Sequence, residues 1–262
     1  MSNSLYKISR KKGLAAALPV ISVGMAVLMA AGAQAQPRLE EIVVTAQKRS
    51  QSLQDVPVAV SAIGGEKMQA MGIRRIDELT AYTPGVTVTE GAAGAQLFIR
   101  GVGSGLNKGF EESVATYIDG VYYGRGRSSR NGMVDMERVE ILKGPQGILF
   151  GKNTIAGVMN LTTRNPGPEW EGYVQVGYEF ETQEQSYEAA IGGPLTDTFG
   201  ARLAVRYADM DGWMKNTWTG QDIGAEEDRV IRLSTLWEPT NSLEVITKLQ
   251  YSKLRQSEKT RC

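Results

Sequence analysis

The sequence contains no histidine, and its one cysteine, Cys262, is the last of 262 residues. These absences exclude disulfides within the chain, zinc held by Cys and His ligands, and every nucleophile that needs an imidazole base. An excess of one charge is missing too. The 29 basic and 29 acidic side chains cancel, and no dense Lys/Arg run follows the first dozen residues, so there is no electrostatic footprint for nucleic acid. Beyond about residue 31 no apolar run reaches the ~18 residues that a membrane-spanning helix needs. Any further entry into a bilayer would have to be made by strands. Proline is scarce, nine residues against 30 glycines, a balance that suits the tight turns and close backbone approaches of a β-rich protein. With 42% hydrophobic residues the chain can still build one or two folded units with real cores.

What is present begins with an export signal. Lys7, Arg10, Lys11 and Lys12 precede an apolar stretch from Leu14 to about Ala31, and Ala33-Gln34-Ala35 forms an A-x-A cleavage site, so residues 1–35 read as a secretory signal peptide. A membrane-spanning helix is the alternative, but Pro19, Ser22 and Gly24 interrupt the stretch. Residues 36–55 are polar and carry one apolar patch, Glu41-Ile42-Val43-Val44-Thr45-Ala46, which reads as a flexible tail with a single strand-forming segment.

From Val56 to about residue 165 the pattern is α+β. Val58 to Ser61 reads as a strand, Glu66 to Met71 as a short helix and Ile73 to Tyr82 as a second helix, with Ile73, Ile76 and Leu79 on one face and Pro84-Gly85 ending it. Strands follow at Val86 to Thr89, Leu97 to Arg100, Ala115 to Tyr123, Arg138 to Lys143 and Val158 to Thr163. Asp119-Gly120 between Tyr117-Ile118 and Val121-Tyr122 is a strong two-residue hairpin signal. After Asn165-Pro166-Gly167-Pro168 the texture changes. Trp170, Gly172, Val174, Val176, Tyr178 and Phe180 share one face, while Glu171, Tyr173, Gln175, Glu179 and Glu181 share the other. Similar segments recur at about Tyr187 to Leu195, Ala201 to Met210, Arg229 to Trp237 and Leu243 to Leu254. Alternating strands joined by short turns suit a transmembrane β-barrel, with a soluble sandwich as the alternative.

Catalytic and nucleotide motifs fail on inspection. Gly101-Val102-Gly103-Ser104-Gly105 follows a strand, but Asn107-Lys108-Gly109-Phe110 supplies no helix to receive a pyrophosphate. Gly151-Lys152 lacks the phosphate-loop context, with Gln146 where the first glycine belongs and Asn153 in place of Ser or Thr. No carboxylate pair, among them Glu111-Glu112, Asp135 with Glu137, and Glu226-Glu227, has a spacing that distinguishes it from solvated surface. Neither an enzyme nor a cofactor is expected.

Phe98-Ile99-Arg100-Gly101, Tyr117-Ile118-Asp119-Gly120-Val121-Tyr122, the run from Glu137 to Gly147, the run from Leu149 to Gly157 and Asn160-Leu161-Thr162-Thr163-Arg164 resemble, in order and spacing, the plug domain of TonB-dependent outer-membrane receptors. Ile148 stands where the motif usually has Thr and Met159 where it usually has Ile. The resemblance implies a signal peptide, a tail with a TonB box at Glu41 to Ala46, a plug over 56–165, and the first strands of a 22-stranded barrel over 166–262. It implies TonB-dependent import of a large ligand across the outer membrane, most often an iron–siderophore complex, with TonB and outer-membrane lipid as partners. It further implies that plug charges, here Arg100, Arg138, Glu140 and Lys143, latch the plug to the barrel. Val102 to Glu112 and Gly124 to Asn131 suit apical loops, in which Tyr122, Tyr123, Arg125 and Arg127 would meet the ligand; ordinary linker is the alternative. Alternating β-branched residues at 42–45 can add as a strand to a partner's sheet, although Ile42-Val43-Val44 as a plain core strand remains open.

About five barrel strands precede Cys262, too few for closure, and Cys262 is not the terminal aromatic such barrels carry. The expectation is a truncated gene, an incomplete read or a fragment. Two rival classes stand beside the receptor: a soluble periplasmic binding module built on the plug, and a secreted β-rich enzyme.

Overall fold

The computed structural model describes residues 43–44, 51–52, 56–91, 94–105, 112–124, 133–212, 214–215, 217–218, 222–240 and 242–259. The signal segment lies outside them. Short strands β1 (Val43–Val44) and β2 (Gln51–Ser52) pair antiparallel. A five-stranded sheet follows, built in the order β3 (Ala59–Gly64), β9 (Met136–Lys143), β10 (Gly157–Thr163), β7 (Val114–Ile118) and β8 (Val121–Tyr123). Only β10 and β7 run parallel. A second, antiparallel sheet joins β4 (Val86–Gly91), β5 (Gly94–Ile99) and β6 (Val102–Gly103). Its Leu97 and Ile99 pack with Ile63, Met68, Val139 and Met159 in one buried cluster, so the two sheets and helix α1 (Gly65–Ala70) share a core.

The second expected helix is not an α-helix. Only Glu78–Tyr82 are helical, and as a 3₁₀ turn. The spacing Ile73, Ile76, Leu79 still marks a buried face, at 5%, 6% and 1% exposure, although Ile73 and Ile76 lie in the turn before the 3₁₀ helix and of the three only Leu79 is on it. The Glu78 carboxylate accepts the backbone N–H of Arg74 and Arg75, which holds that stretch in a turn instead of a further helical turn. The Asp119-Gly120 hairpin is as expected: both residues have positive φ, 49° and 79°, the pairing that a type I′ turn requires. A four-residue helix α2 (Gly147–Phe150) lies in the stretch after β9.

Beyond residue 170 the chain forms an antiparallel meander of β11 (Glu171–Tyr178), β12 (Gln185–Thr196), β13 (Phe199–Met210), β15 (Asp222–Thr240) and β16 (Leu243–Lys259), with β14 (Met214–Lys215) also on β15. The alternation read from sequence appears directly in burial. Glu188, Ala190, Arg202, Ala204, Val230 and Arg232 are buried on one face, and Val174, Ile191, Leu203, Val205, Ile231 and Leu249 are exposed on the other. The buried face lies on the plug, where Val134 packs against Ala190, Ala204 and Val230. Small residues there let the plug backbone approach the wall.

The apolar outward band is bounded by aromatic residues, Trp170, Phe199 and Trp237 toward one end and Tyr178, Tyr187, Tyr207 and Tyr251 toward the other. Residues 197–198 and 241–242 join strands at the first end, and the longer connections 179–184 and 211–221 lie at the second. In outer-membrane barrels the short turns are periplasmic and the long loops extracellular. The limit of the band at the end with the longer connections drifts across the register, from Phe180 just past β11, through the paired Tyr187 and Tyr207, to the paired Ile231 and Tyr251 one outward row nearer the short turns. Strands tilted by ~35–45° to the membrane normal produce that drift.

Candidate functional site

Val44 of the expected TonB box is fully buried. It packs in a small cluster with Ala115, Leu142 and Val158, bordered by Tyr117, Tyr122 and Phe150. Val44 thus lies against the plug sheet, on the face opposite the main core, and burial of one valine there contributes on the order of 1.5–3 kcal/mol. Glu41, Ile42, Thr45 and Ala46 lie outside the described residues.

Tyr122 borders this same cluster. Its ring lies 5.5 Å from that of Tyr117, and its hydroxyl accepts a hydrogen bond from Asn153 Nδ2 at 2.8 Å. Tyr117 in turn donates to the Phe150 carbonyl at 2.6 Å, and burial pushes its phenol above the ordinary tyrosine range. Tyr122 is therefore half-buried inside the plug. Tyr123, also half-buried, ends β8, and Arg125 and Arg127 lie outside the described residues.

For the four charges expected to latch the plug, the described contacts lie within the plug. Arg138 pairs with Glu137 and, at 2.8 Å, with Glu140, all on β9. Asn160 also donates to Glu140, which is fully buried. Lys143 Nζ donates to the Pro84 carbonyl at 2.8 Å, and burial, then the neighbouring Arg100, lowers its pKa. Arg100 is exposed at the β5–β6 turn with φ of 52°.

The described ion pairs between plug and wall have the opposite polarity, wall cation to plug acid. Arg202 on β13 holds Asp135 through two bonds, Nε to Oδ2 at 2.6 Å and Nη2 to Oδ1 at 2.7 Å, and reaches Glu171 at 2.8 Å. Both partners of the Arg202–Asp135 pair are buried, at 1% and 2% side-chain exposure. The Asp135 backbone N–H donates to Glu188 at 3.3 Å, and Tyr173 donates to the same carboxylate at 2.6 Å. Lys248 on β16 reaches Asp119 and Thr163 Oγ1 at 2.8 and 2.7 Å. Arg232 donates to the Val134 carbonyl at 2.7 Å and Arg206 to that of Arg74 at 3.1 Å. Asp119 and Asp135 both have φ of 49°, a left-handed conformation that Asp tolerates better than bulkier residues. Sequence reasoning looked for plug arginines. The usable signal lay in the wall strands, where Arg202, Arg206, Arg232 and Lys248 interrupt the polar face with long cations.

Arg206 Nε and Asp228 Oδ1 are buried without a hydrogen-bond partner, although Nε lies 3.8 Å from Asp228 Oδ2. They adjoin a cavity of about 20 Å³ between plug and wall, also lined by Arg75, Glu184 and Glu226. A space of that size and polarity suits one water bridging the two atoms.

The comparisons with known proteins bear on this arrangement. Residues 52–158 match the family model described as the TonB-dependent receptor plug domain. The chain is 30% identical over 214 residues to the pesticin receptor of Yersinia pestis, covering 78% of this chain and 31% of that protein. It is 28% identical over 203 residues to the iron-regulated outer membrane virulence protein of Vibrio cholerae, covering 70% and 30%. Among solved structures, the ferric yersiniabactin uptake receptor from Yersinia pestis matches with a TM-score of 0.71 at 23% identity, over 77% of this chain and 32% of that one. Residues 52–158 are thus a TonB-dependent receptor plug domain. The chain is an outer-membrane protein, as these relatives are, with the plug followed by antiparallel barrel strands. It spans about a third of the length of these curated relatives. That share accords with a meander left open at both edges, with β11 and β16 each paired on one side among the described residues. A likeness to transporters and receptors leaves the soluble module and the secreted enzyme without support.

Proposed function

We propose that this TonB-dependent receptor imports an iron–siderophore complex, driven by TonB pulling on residues Glu41 to Ala46. The placement of Val44 carries the reading. A β-branched strand with two paired residues among those described, whose Val44 is held to the plug by one small cluster, is a segment that a partner can lift away and pair with at low cost. Pairing along the backbone then transmits force into the plug. The wall contacts of Asp135, Asp119, Val134 and Arg74 are the latch that resists it, since breaking a buried ion pair leaves an uncompensated charge. The names of the relatives, a ferric yersiniabactin uptake receptor and a ferripyoverdine receptor among them, favour a ferric siderophore as cargo. Arg125 and Arg127, with Tyr123, stand beside it as the proposed ligand contacts.

The test is Val43→Pro in the complete receptor that carries this chain. Proline cannot donate to an added strand, so uptake of a radiolabelled ferric siderophore should cease while its binding to cells is retained. Continued uptake would overturn the TonB assignment. Failure of a panel of ferric siderophores to bind at all would overturn the cargo.

A further inference from the structure

The outward face of β13, β15 and β16 changes character abruptly at the extracellular limit of its apolar band. Three successive register rows show it. The row Val205–Ile231–Tyr251 is apolar and exposed. The next, Tyr207–Arg229–Lys253, is aromatic and then doubly basic. The one beyond it, Asp209–Glu227–Arg255, is mixed. Pairing fixes the face: Ile231 and Tyr251 are exposed at 50% and 60%, and Arg229 and Lys253 lie two residues along each strand, hence on the same side.

Cations on the lipid-facing side of a barrel are costly at mid-bilayer, by about 2–4 kcal/mol each, and almost free near the interface. Arg229, Lys253 and Arg255 must therefore lie at the headgroup level. The last apolar row, Ile231 with Tyr251, lies directly beneath them. Arg229 stacks over the Tyr207 ring at 5.5 Å, and that ring lies on Tyr187 at 6.5 Å, so the guanidinium is pinned at the top of the aromatic girdle. Glu227 is shared between Arg229 and, at 3.9 Å, Arg255, whose side chains stay 56% and 62% exposed. Lys253 is exposed, and among the described residues no carboxylate lies in its own row. Its strand neighbour Arg229 is one interstrand spacing away, about 4.8 Å.

The geometry points to a phosphate-binding site for an outer-leaflet lipid on the outside of the barrel, formed by Arg229 and Lys253 with Arg255 above them. The row next to the hydrocarbon is the one with no carboxylate, at the depth where a lipid's phosphate sits just above its acyl chains. Asp209 and Glu227 are one row farther out. Two cations an interstrand spacing apart can share the oxygens of one phosphate, while the acyl chains lie along Ile231, Leu233, Leu249 and Tyr251. The site faces away from the plug, so it is separate from the import path and does not depend on which ligand is imported.

The test uses the complete receptor in nanodiscs of neutral phospholipid doped with a phosphorylated glycolipid or its dephosphorylated counterpart. Native mass spectrometry counts the lipids retained. Arg229→Gln with Lys253→Gln should lower retention of the phosphorylated form at least tenfold, whereas Lys215→Gln, at the extracellular end on β14, should leave it unchanged. Resistance of the folded barrel to detergent at room temperature reports folding, and Lys253→Gln alone, at an exposed side chain, should still lower retention severalfold if the double variant does not fold. Equal retention of phosphorylated and dephosphorylated lipid, or retention unaffected by either variant, would overturn the proposal. So would displacement of the lipid by millimolar inorganic phosphate, which would make this a site for free phosphate.

Discussion

Arg202 is the residue on which the seating of the plug turns. Its guanidinium is buried and makes three charged bonds, two of them to an aspartate that is itself buried and held in a left-handed backbone conformation. Arg202→Ala removes the partner and leaves Asp135 charged in a dry interface, a change that typically costs about 3–5 kcal/mol. The expected outcome is a plug that yields to lower force and a receptor that leaks large antibiotics, measured as increased sensitivity of cells to vancomycin. Arg100→Ala, at an exposed turn, should leave that sensitivity unchanged. A second residue-scale expectation concerns Tyr117. Its phenol is raised above the ordinary value by burial, so the folded state favours the protonated form. Its contribution to stability is present below the ordinary tyrosine pKa of about 10 and is lost as pH rises through the folded value. In an absorbance titration at alkaline pH, the Tyr117→Phe variant should lack one of the last tyrosines to ionise.

At the scale of elements, what the sequence made legible follows the range of the interactions that fix each element. The Asp119-Gly120 hairpin and the alternation from Trp170 onward are set by near neighbours, and both were readable. The stretch 73–77 reads as helix from its repeat of buried apolar residues, yet it is a turn. The choice was made by the Glu78 carboxylate folding back on Arg74 and Arg75. The wall cations stood out in the sequence but their partners on the plug did not, because Asp135 and Arg202 are 67 residues apart and nothing local marks them as partners. Val44 lay between these extremes: its apolar character was plain, but its docking depends on β7, β9 and β10. Those central strands also set a demand at Gly157, where an added Cβ would lie 2.2 Å from the Leu142 carbonyl oxygen. Gly157→Ala must push β9 and β10 apart, and overpacking of this kind costs about 1–3 kcal/mol. Faster amide exchange across Val139 to Leu142 is the expected readout, whereas Gly147→Ala, with open space around it, should leave exchange there unaltered.

For the whole molecule, the two faces of the meander must be read together. The inner face is built of charges and small residues that have partners on the plug, and the outer face is apolar between two aromatic borders. A soluble sandwich would need a second layer over Leu203, Leu233 and Leu249, yet these remain 44%, 40% and 63% exposed. Lipid is the layer that suits them. The claim is testable by depth. Leu203→Arg places a charge near the middle of the band and should cost about 2–4 kcal/mol of folding free energy in bilayers, whereas Thr196→Arg, at the short-turn end, should cost about 0–1. Urea titration of the complete receptor folded into phospholipid vesicles measures both. If the two substitutions cost the same, the outward face does not meet hydrocarbon, and both the barrel reading and the lipid-phosphate site above it fail. If only Leu203→Arg is costly, position along the strand reports depth in the membrane, and the Arg229–Lys253 row is fixed at the headgroups by the same measurement.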